Sequence, residues 1–472
     1  MRSIHYLLFL TTLSPAYGAA LLSRGARDAT PTLSSAAEPT PTVPYASTTP
    51  NAILWGPASS NSVPKPFRGK TGASVLGPDN TAIDLQNPDL FAPPSTDNGD
   101  VMSHMRLQTG GWARQQNTEM FPVATSMAAV DMRLEAGAIR YEAMFHMGST
   151  SIPNRAVQRT ALAFHRGAYT YIHHGTTQVT SVDQDGRNFI ATVKPGDLWY
   201  FPPGIPHSLQ ATNESAEGSE FLLVFPDGAF SDDGTFLLTD WLAHVPAEDE
   251  QQFDFLSTPL IINPVIRKNF GITNPDAFSR IPSKQLYIFP AAPPADDAED
   301  VSDPQGTVPQ PFFFPFSQMA PTKLEGGSVK IADSTVFDVA TKIAVAEVEV
   351  EVGGMREMHW HPTQDEWTFV LEGEARITIF AANSNARTFN FQAGDIGFIP
   401  ASYGHYVENT GNITLKYLEV FNSDRFQDIS LNQWLALTPP ALVKAHLGLD
   451  DETISLLKKV KPTVVGPPSS FK

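Results

Sequence analysis

The chain has 472 residues, 42% of them hydrophobic and none of them cysteine. Its 32 Lys+Arg stand against 50 Asp+Glu, a formal net charge of -18, which argues against nucleic acid or an anionic membrane as a partner. The length predicts two globular domains, and a secreted copy without disulfides has to rely on its core and on metal for stability.

Residues 1–18 have the form of a secretory signal, with a charge at Arg2, an apolar stretch Tyr6–Leu10 and small residues at Ala16-Tyr-Gly18. No run reaches the roughly 18 apolar residues of a membrane span. The sequons Asn213-Glu-Ser215 and Asn412-Ile-Thr414 agree with a secreted, extracellular protein. Residues 19–65, rich in Pro, Ser, Thr and Ala, read as a leader. An N-terminal domain is expected over 66–290, a Pro/Asp-rich linker over 291–310 and a C-terminal domain over 311–472.

Short β-type runs fill the domains, among them Ala344–Glu351, Glu366–Leu371, Ala375–Phe380, Ile396–Pro400 and Leu415–Phe421. Strands this short, punctuated by Gly and Pro, predict an all-β sandwich or barrel. Helical patterning is confined to Leu238–His244, Leu431–Leu447 and Asp451–Lys459. The halves repeat each other: Gly196–His207 matches Gly394–His405, Glu220–Phe225 matches Lys416–Phe421, Leu238–Ala243 matches Leu431–Ala436, and Met132–Arg140 matches Val348–Arg356.

The C-terminal half carries the most specific pattern. His359 and His361, two apart, share one face of a strand. Glu366 follows a Pro-containing turn, and His405 follows a Gly-Pro turn downstream. Three imidazoles and a carboxylate suit a borderline-to-hard divalent ion with open positions, such as Mn or Fe. Gly353, His359, His361, Glu366 and Gly373, then Gly394, Pro400, His405 and Asn409, follow the two cupin motifs, apart from the placement of the Gly before His405. With the flanking Arg356-Glu-Met-His359-Trp-His361-Pro, the chain resembles the bicupin oxalate decarboxylases over roughly residues 65–460.

The N-terminal half departs from this pattern. It keeps Gly137-Ala-Ile-Arg140 and His207, a candidate ligand, but lacks the His-x-His and the Glu between them, and the disruption falls at 141–167. Gly137 to Gly196 spans 59 positions where Gly354 to Gly394 spans 40, an excess of 19. Arg159–Gly167 can be back-translated so that, read one base later, it gives Glu-Leu-His-Trp-His-Ser-Thr-Ala and then a codon starting GA. The preceding 18 codons can hold a fungal-type intron. A retained intron with a compensating frame correction near Gly167–Ala168 accounts for the anomaly. His165, His173 and His174 are candidate stray ligands, and a strand or surface role is the simpler reading of each.

The resemblance implies two tandem cupin (jelly-roll β-barrel) domains and a Mn(2+)-dependent conversion of oxalate to formate and CO2, with dioxygen as co-catalyst. It implies Arg356 as the clamp for the substrate's free carboxylate. Glu419 becomes the C-terminal proton donor, and it is an acid in an apolar strand, where burial raises a carboxyl pKa. Asp232, in the turn Ser231–Thr235, takes the position of the N-terminal lid's acid. The family assembles as trimers or hexamers. Two alternatives remain open at this point: an oxalate oxidase outcome with hydrogen peroxide, and a non-catalytic bicupin of the storage type.

Overall fold

The computed structural model describes residues 73–74, 104–108, 110–143, 168–230, 268–269, 288–294, 303–382 and 386–468. The signal segment, the leader, most of the disrupted stretch 141–167, Asp232 with its turn, and the expected helix Leu238–His244 lie outside them.

Each half is built on a pair of antiparallel sheets, with Ala73–Ser74 at the edge of a C-terminal sheet and Phe313–Phe314 at the edge of an N-terminal one. The N-terminal half sets a seven-stranded sheet, whose middle strands are Ala168–His174, Ser219–Phe225 and Ala128–Leu134, against a five-stranded one centred on Pro206–Ala211. The C-terminal half repeats this with a six-stranded sheet built on Ala344–Val350, Leu415–Phe421 and Glu366–Glu372. Its second, seven-stranded sheet contains Met355–Trp360 and Gly404–Asn409. The chain is thus an all-β, two-cupin fold. Alternation explains the sheets: Val130, Met132 and Leu134 point into the N-terminal core and Ala129 points out.

The outward faces of the seven-stranded N-terminal sheet and the six-stranded C-terminal sheet are also apolar, and they meet. Tyr169, Leu198, Tyr200, Leu222 and Val224 of one barrel share a core with Val345, Trp367, Phe398, Leu418 and Val420 of the other. Polar groups trapped there are paired across the boundary, as buried polar groups require. Tyr171 Oη donates to Glu347 Oε2 at 2.9 Å and Trp367 Nε1 to Gln116 Oε1 at 2.9 Å. His173, near the disrupted stretch, lies against Phe369 of the C-terminal barrel, ring centroids 5.1 Å apart.

The expected helix Leu431–Leu447 is two helices, Leu431–Leu437 and Pro440–Leu447. Pro439 and Pro440 enforce the break, because a proline lacks the N–H of the helical ladder and pushes its predecessor out of helical geometry. A further helix, Asp451–Leu456, is capped by the Asp450 carboxylate.

Strand pairing measures the disruption directly. Met132 stands where Val348 does, and Phe201 where Ile399 does. These offsets of 216 and 198 make the excess 18 residues, one fewer than the glycine count.

Candidate metal centre

His359, His361, Glu366 and His405 come together inside the C-terminal barrel, their ligand atoms all within 4.8 Å of one another and all four residues buried. His359 lies one residue before the end of the strand Met355–Trp360, directly opposite His405 on Gly404–Asn409. Glu366 opens the neighbouring sheet's strand Glu366–Glu372. The loop between carries His361, and Ser402 ties it down: its N–H donates to His361 O at 2.7 Å and its hydroxyl to Pro362 O at 3.0 Å. Ser402 holds φ 67°, where its counterpart Gly204 holds φ 78°. This is the position at which the motif departs from glycine, and the two hydrogen bonds offset the strain of a left-handed serine.

The imidazoles are oriented from behind. His359 Nδ1 lies 2.6 Å from Glu357 O, His361 Nδ1 2.8 Å from Gln427 O, and His405 Nδ1 3.0 Å from Tyr403 O. A carbonyl only accepts, so each Nδ1 carries the proton and each Nε2 offers its lone pair inward, the tautomer of a metal ligand. His359 Nε2 is buried without a hydrogen-bond partner. His361 and His405 Nε2 lie 2.9 and 3.1 Å from the same oxygen, Glu366 Oε2. Two lone pairs facing a carboxylate demand positive charge between them. Although burial opposes both shifts, the Glu366 carboxylate draws the His361 pKa up, and His405 and His361 hold that of Glu366 down. A divalent ion would supply that positive charge, and the donor set fits one.

Arg356 and Glu419 adjoin this centre. On a regular strand, residues three apart face opposite ways; a bulge between Arg356 and His359 cancels that, so both are buried. Arg356 Nε donates to Glu419 Oε1 at 3.1 Å, Nη2 to Asp428 Oδ2 at 2.8 Å and Nη1 to Thr463 O at 3.4 Å. Burial penalises the guanidinium, yet Glu419 and Asp428 outweigh it and raise its pKa. Lys461 donates to the other oxygen of Asp428. Burial pushes the Glu419 carboxyl upward, Arg356 pulls it back, and Glu366 pushes it up again, for a net rise.

The N-terminal barrel places His207 in the same posture, buried, with Nδ1 2.9 Å from Ile205 O. Burial, with Arg140 adding to it against the Ile205 carbonyl, lowers its pKa to about 4. His207 pairs with Glu142 where His405 pairs with His359, and Ala168 pairs with Phe201 where Glu366 pairs with Ile399. Among the described residues His207 therefore joins no second cluster of three ligands. Sequence reasoning missed Asp428, although the repeat marks it: Asp428 follows Phe421 by seven residues, as Asp232 follows Phe225. It also missed Tyr417, which no motif marks.

The cupin family model matches residues 162–248 and 316–455. The chain is 44% identical to the oxalate decarboxylase OxdC of Bacillus subtilis (strain 168), over 86% of this chain and 97% of that protein. It is 34% identical to a probable oxalate decarboxylase of Arthroderma benhamiae, over 84% and 91%. The solved structure of the B. subtilis enzyme at pH 4.6 superposes with a TM-score of 0.67, covering 87% of this chain and all (100%) of that one. Another structure of that enzyme, from work on the EPR fine structure of its Mn(II) centres, gives the same score of 0.67. With two cupin barrels and relatives this similar over nearly their whole length, the chain belongs to the bicupin oxalate decarboxylase family.

Proposed function

We propose that this chain is a Mn-dependent oxalate decarboxylase that converts oxalate to formate and CO2, with His359, His361, Glu366 and His405 as the metal ligands. The observation that carries the reading is the convergence of those four groups beside a buried arginine and a buried acid. When bound, Mn(II) supplies Lewis-acid binding of one oxalate carboxylate and, with dioxygen as co-catalyst, the reversible one-electron oxidation that loosens the carbon–carbon bond.

The residues do the rest. Arg356 is held by Glu419, Asp428 and Thr463 so that its remaining N–H groups are presented in a fixed plane to the substrate's free carboxylate. Carbon–carbon cleavage releases CO2, and a proton from Glu419 goes to the carbon of the one-carbon fragment, which leaves as formate. The sum is hydrogen oxalate giving formate and CO2, with no net oxidation. Burial of Glu419 and Tyr417 excludes water, so the fragment meets the acid. A storage-type bicupin has no use for this arrangement.

The signal-like residues 1–18 and the two sequons support an extracellular location. Family likeness supports a homo-oligomer. The test is to load the purified chain with Mn(II), add oxalate, and quantify formate and hydrogen peroxide together. Formate as the main product is expected. Peroxide as the main product means an oxidase, and neither product sinks the reading.

A further inference from the structure

Tyr417 lies two residues before Glu419 on the strand Leu415–Phe421 and is fully buried. Its hydroxyl donates to Glu419 Oε1 at 3.1 Å, the same oxygen that receives Arg356 Nε at 3.1 Å. The other oxygen, Glu419 Oε2, is buried and has no hydrogen-bond partner. The carboxylate is therefore lopsided: two donors crowd one oxygen and none reaches the other. We infer that Tyr417 is a positioning residue which, with Arg356, fixes Oε1 as a permanent acceptor and leaves Oε2 as the atom that carries and delivers the proton. This rests on the proton-donor role proposed above for Glu419.

The repeat supports the pairing of phenol with acid. Tyr417 stands opposite Val348 and Glu419 opposite Ala346; in the N-terminal barrel Phe221 stands opposite Met132 and Leu223 opposite Val130. Where the position of Glu419 carries a leucine, Leu223, the position of Tyr417 carries no phenol either. Phe221 instead packs edge-on against Trp199, centroids 5.2 Å apart. A tyrosine kept only for bulk would not need its hydroxyl, and a buried hydroxyl costs stability unless bonded. The side chains around Glu419 account for both oxygens. Arg356 and Tyr417 take Oε1, while Glu366 and His361 are the charged neighbours on the metal side. Oε2 is thus left to the reacting fragment. A proton resident there makes Oε1 the carbonyl oxygen of a neutral acid, accepting two hydrogen bonds.

That last statement has a spectroscopic signature independent of turnover. In infrared difference spectra of the full metal-loaded chain against Glu419→Gln, a protonated carboxyl band is expected to vanish, at the low frequency of a doubly bonded carbonyl. Tyr417→Phe should shift that band upward and lower the formate-to-peroxide ratio about tenfold, the size of one buried hydrogen bond. A band that Tyr417→Phe leaves in place overturns the inference, as does a Glu419→Gln spectrum that loses no protonated carboxyl. If Tyr417→Phe does not fold, the wild-type band decides alone: the frequency of an unbonded acid carbonyl is fatal to the inference. Formate measured on the wild type separates the two readings, since its absence removes the proposed function without touching the band.

Discussion

Ala168 occupies in the N-terminal barrel the strand position that Glu366 occupies in the C-terminal one. A methyl group stands there in place of the proposed carboxylate ligand, while His207 has the same Nδ1-to-carbonyl posture as His405. A lone imidazole holds a divalent ion poorly. The purified chain is therefore expected to retain about one Mn per chain after dialysis. Glu366→Ala should empty the remaining site, and His207→Ala should leave the content unchanged. Elemental analysis of the three proteins checks this; two firmly held ions in the wild type would show that the N-terminal barrel binds metal after all.

Arg356 joins two buried acids, Glu419 and Asp428. Replacing it by Gln deprives the buried Asp428 carboxylate of its guanidinium and Glu419 Oε1 of one of its two donors, an arrangement that typically costs roughly 3–5 kcal/mol. Asp428→Asn should cost less, because its amide oxygen keeps a hydrogen-bond acceptor for the guanidinium and Lys461 still reaches the Asp428 carbonyl. Denaturant titrations should rank the variants in that order. Steady-state kinetics should show KM for oxalate rising for Arg356→Gln by more than for Asp428→Asn. Equal stability losses would argue against the guanidinium as the hub.

Much of this was legible in the sequence because the signals were local. The strands Leu415–Phe421 and Ile396–Ile399 follow from short β-type runs and their Gly and Pro borders, and the quartet follows from a spacing that a strand, a turn and a partner strand must bring together. What escaped depends on contacts between distant segments. The bulge that turns Arg356 inward is a pairing irregularity with Gly404–Asn409. Asp428 matters only because Lys461 and Arg356 reach it from elsewhere in the chain. The apolar outer faces of the seven-stranded N-terminal and six-stranded C-terminal sheets read as ordinary strand residues until they meet across the two barrels.

His173 predicts a pH effect on stability. Its ring packs between Tyr171 and Phe369, its Nε2 is buried without a hydrogen bond, and burial lowers its pKa from 6.5 to about 3. The folded-state pKa is below the unfolded one, so as pH falls the unfolded chain takes up the proton first. Stability attached to neutral His173 is complete above pH 6.5 and is lost as pH drops through the window from 6.5 to about 3. The slope is about 1.4 kcal/mol per pH unit in mid-window. His173→Phe keeps an aromatic ring in place and removes the titration. Urea unfolding between pH 4 and pH 7 should therefore give the variant a flatter pH dependence by about one proton. Parallel curves would show that His173 is protonated without penalty in the fold.

The register of Ala168 also bears on how the N-terminal site was lost. Read one base out of frame, codons 159–167 give Glu-Leu-His-Trp-His-Ser-Thr-Ala and leave GA, to be completed by the first base of codon 168. Every alanine codon begins with G, so the completed codon is GAG, a glutamate. Strand pairing puts residue 168 at the position of Glu366. The excess of 18 residues measured from pairing equals the 18 codons available to an intron over 141–158. A back-translated string and a β-sheet register thus identify the same missing ligand. The transcript across codons 135–175 is expected to be spliced so that it reads Arg-Glu-Leu-His-Trp-His, and protein made from it to hold about two Mn per chain, with His207 as the fourth ligand of the restored site. A message carrying codons 141–167 as they stand would mean that the N-terminal barrel is a degenerate domain and that all oxalate turnover belongs to His359, His361, Glu366 and His405.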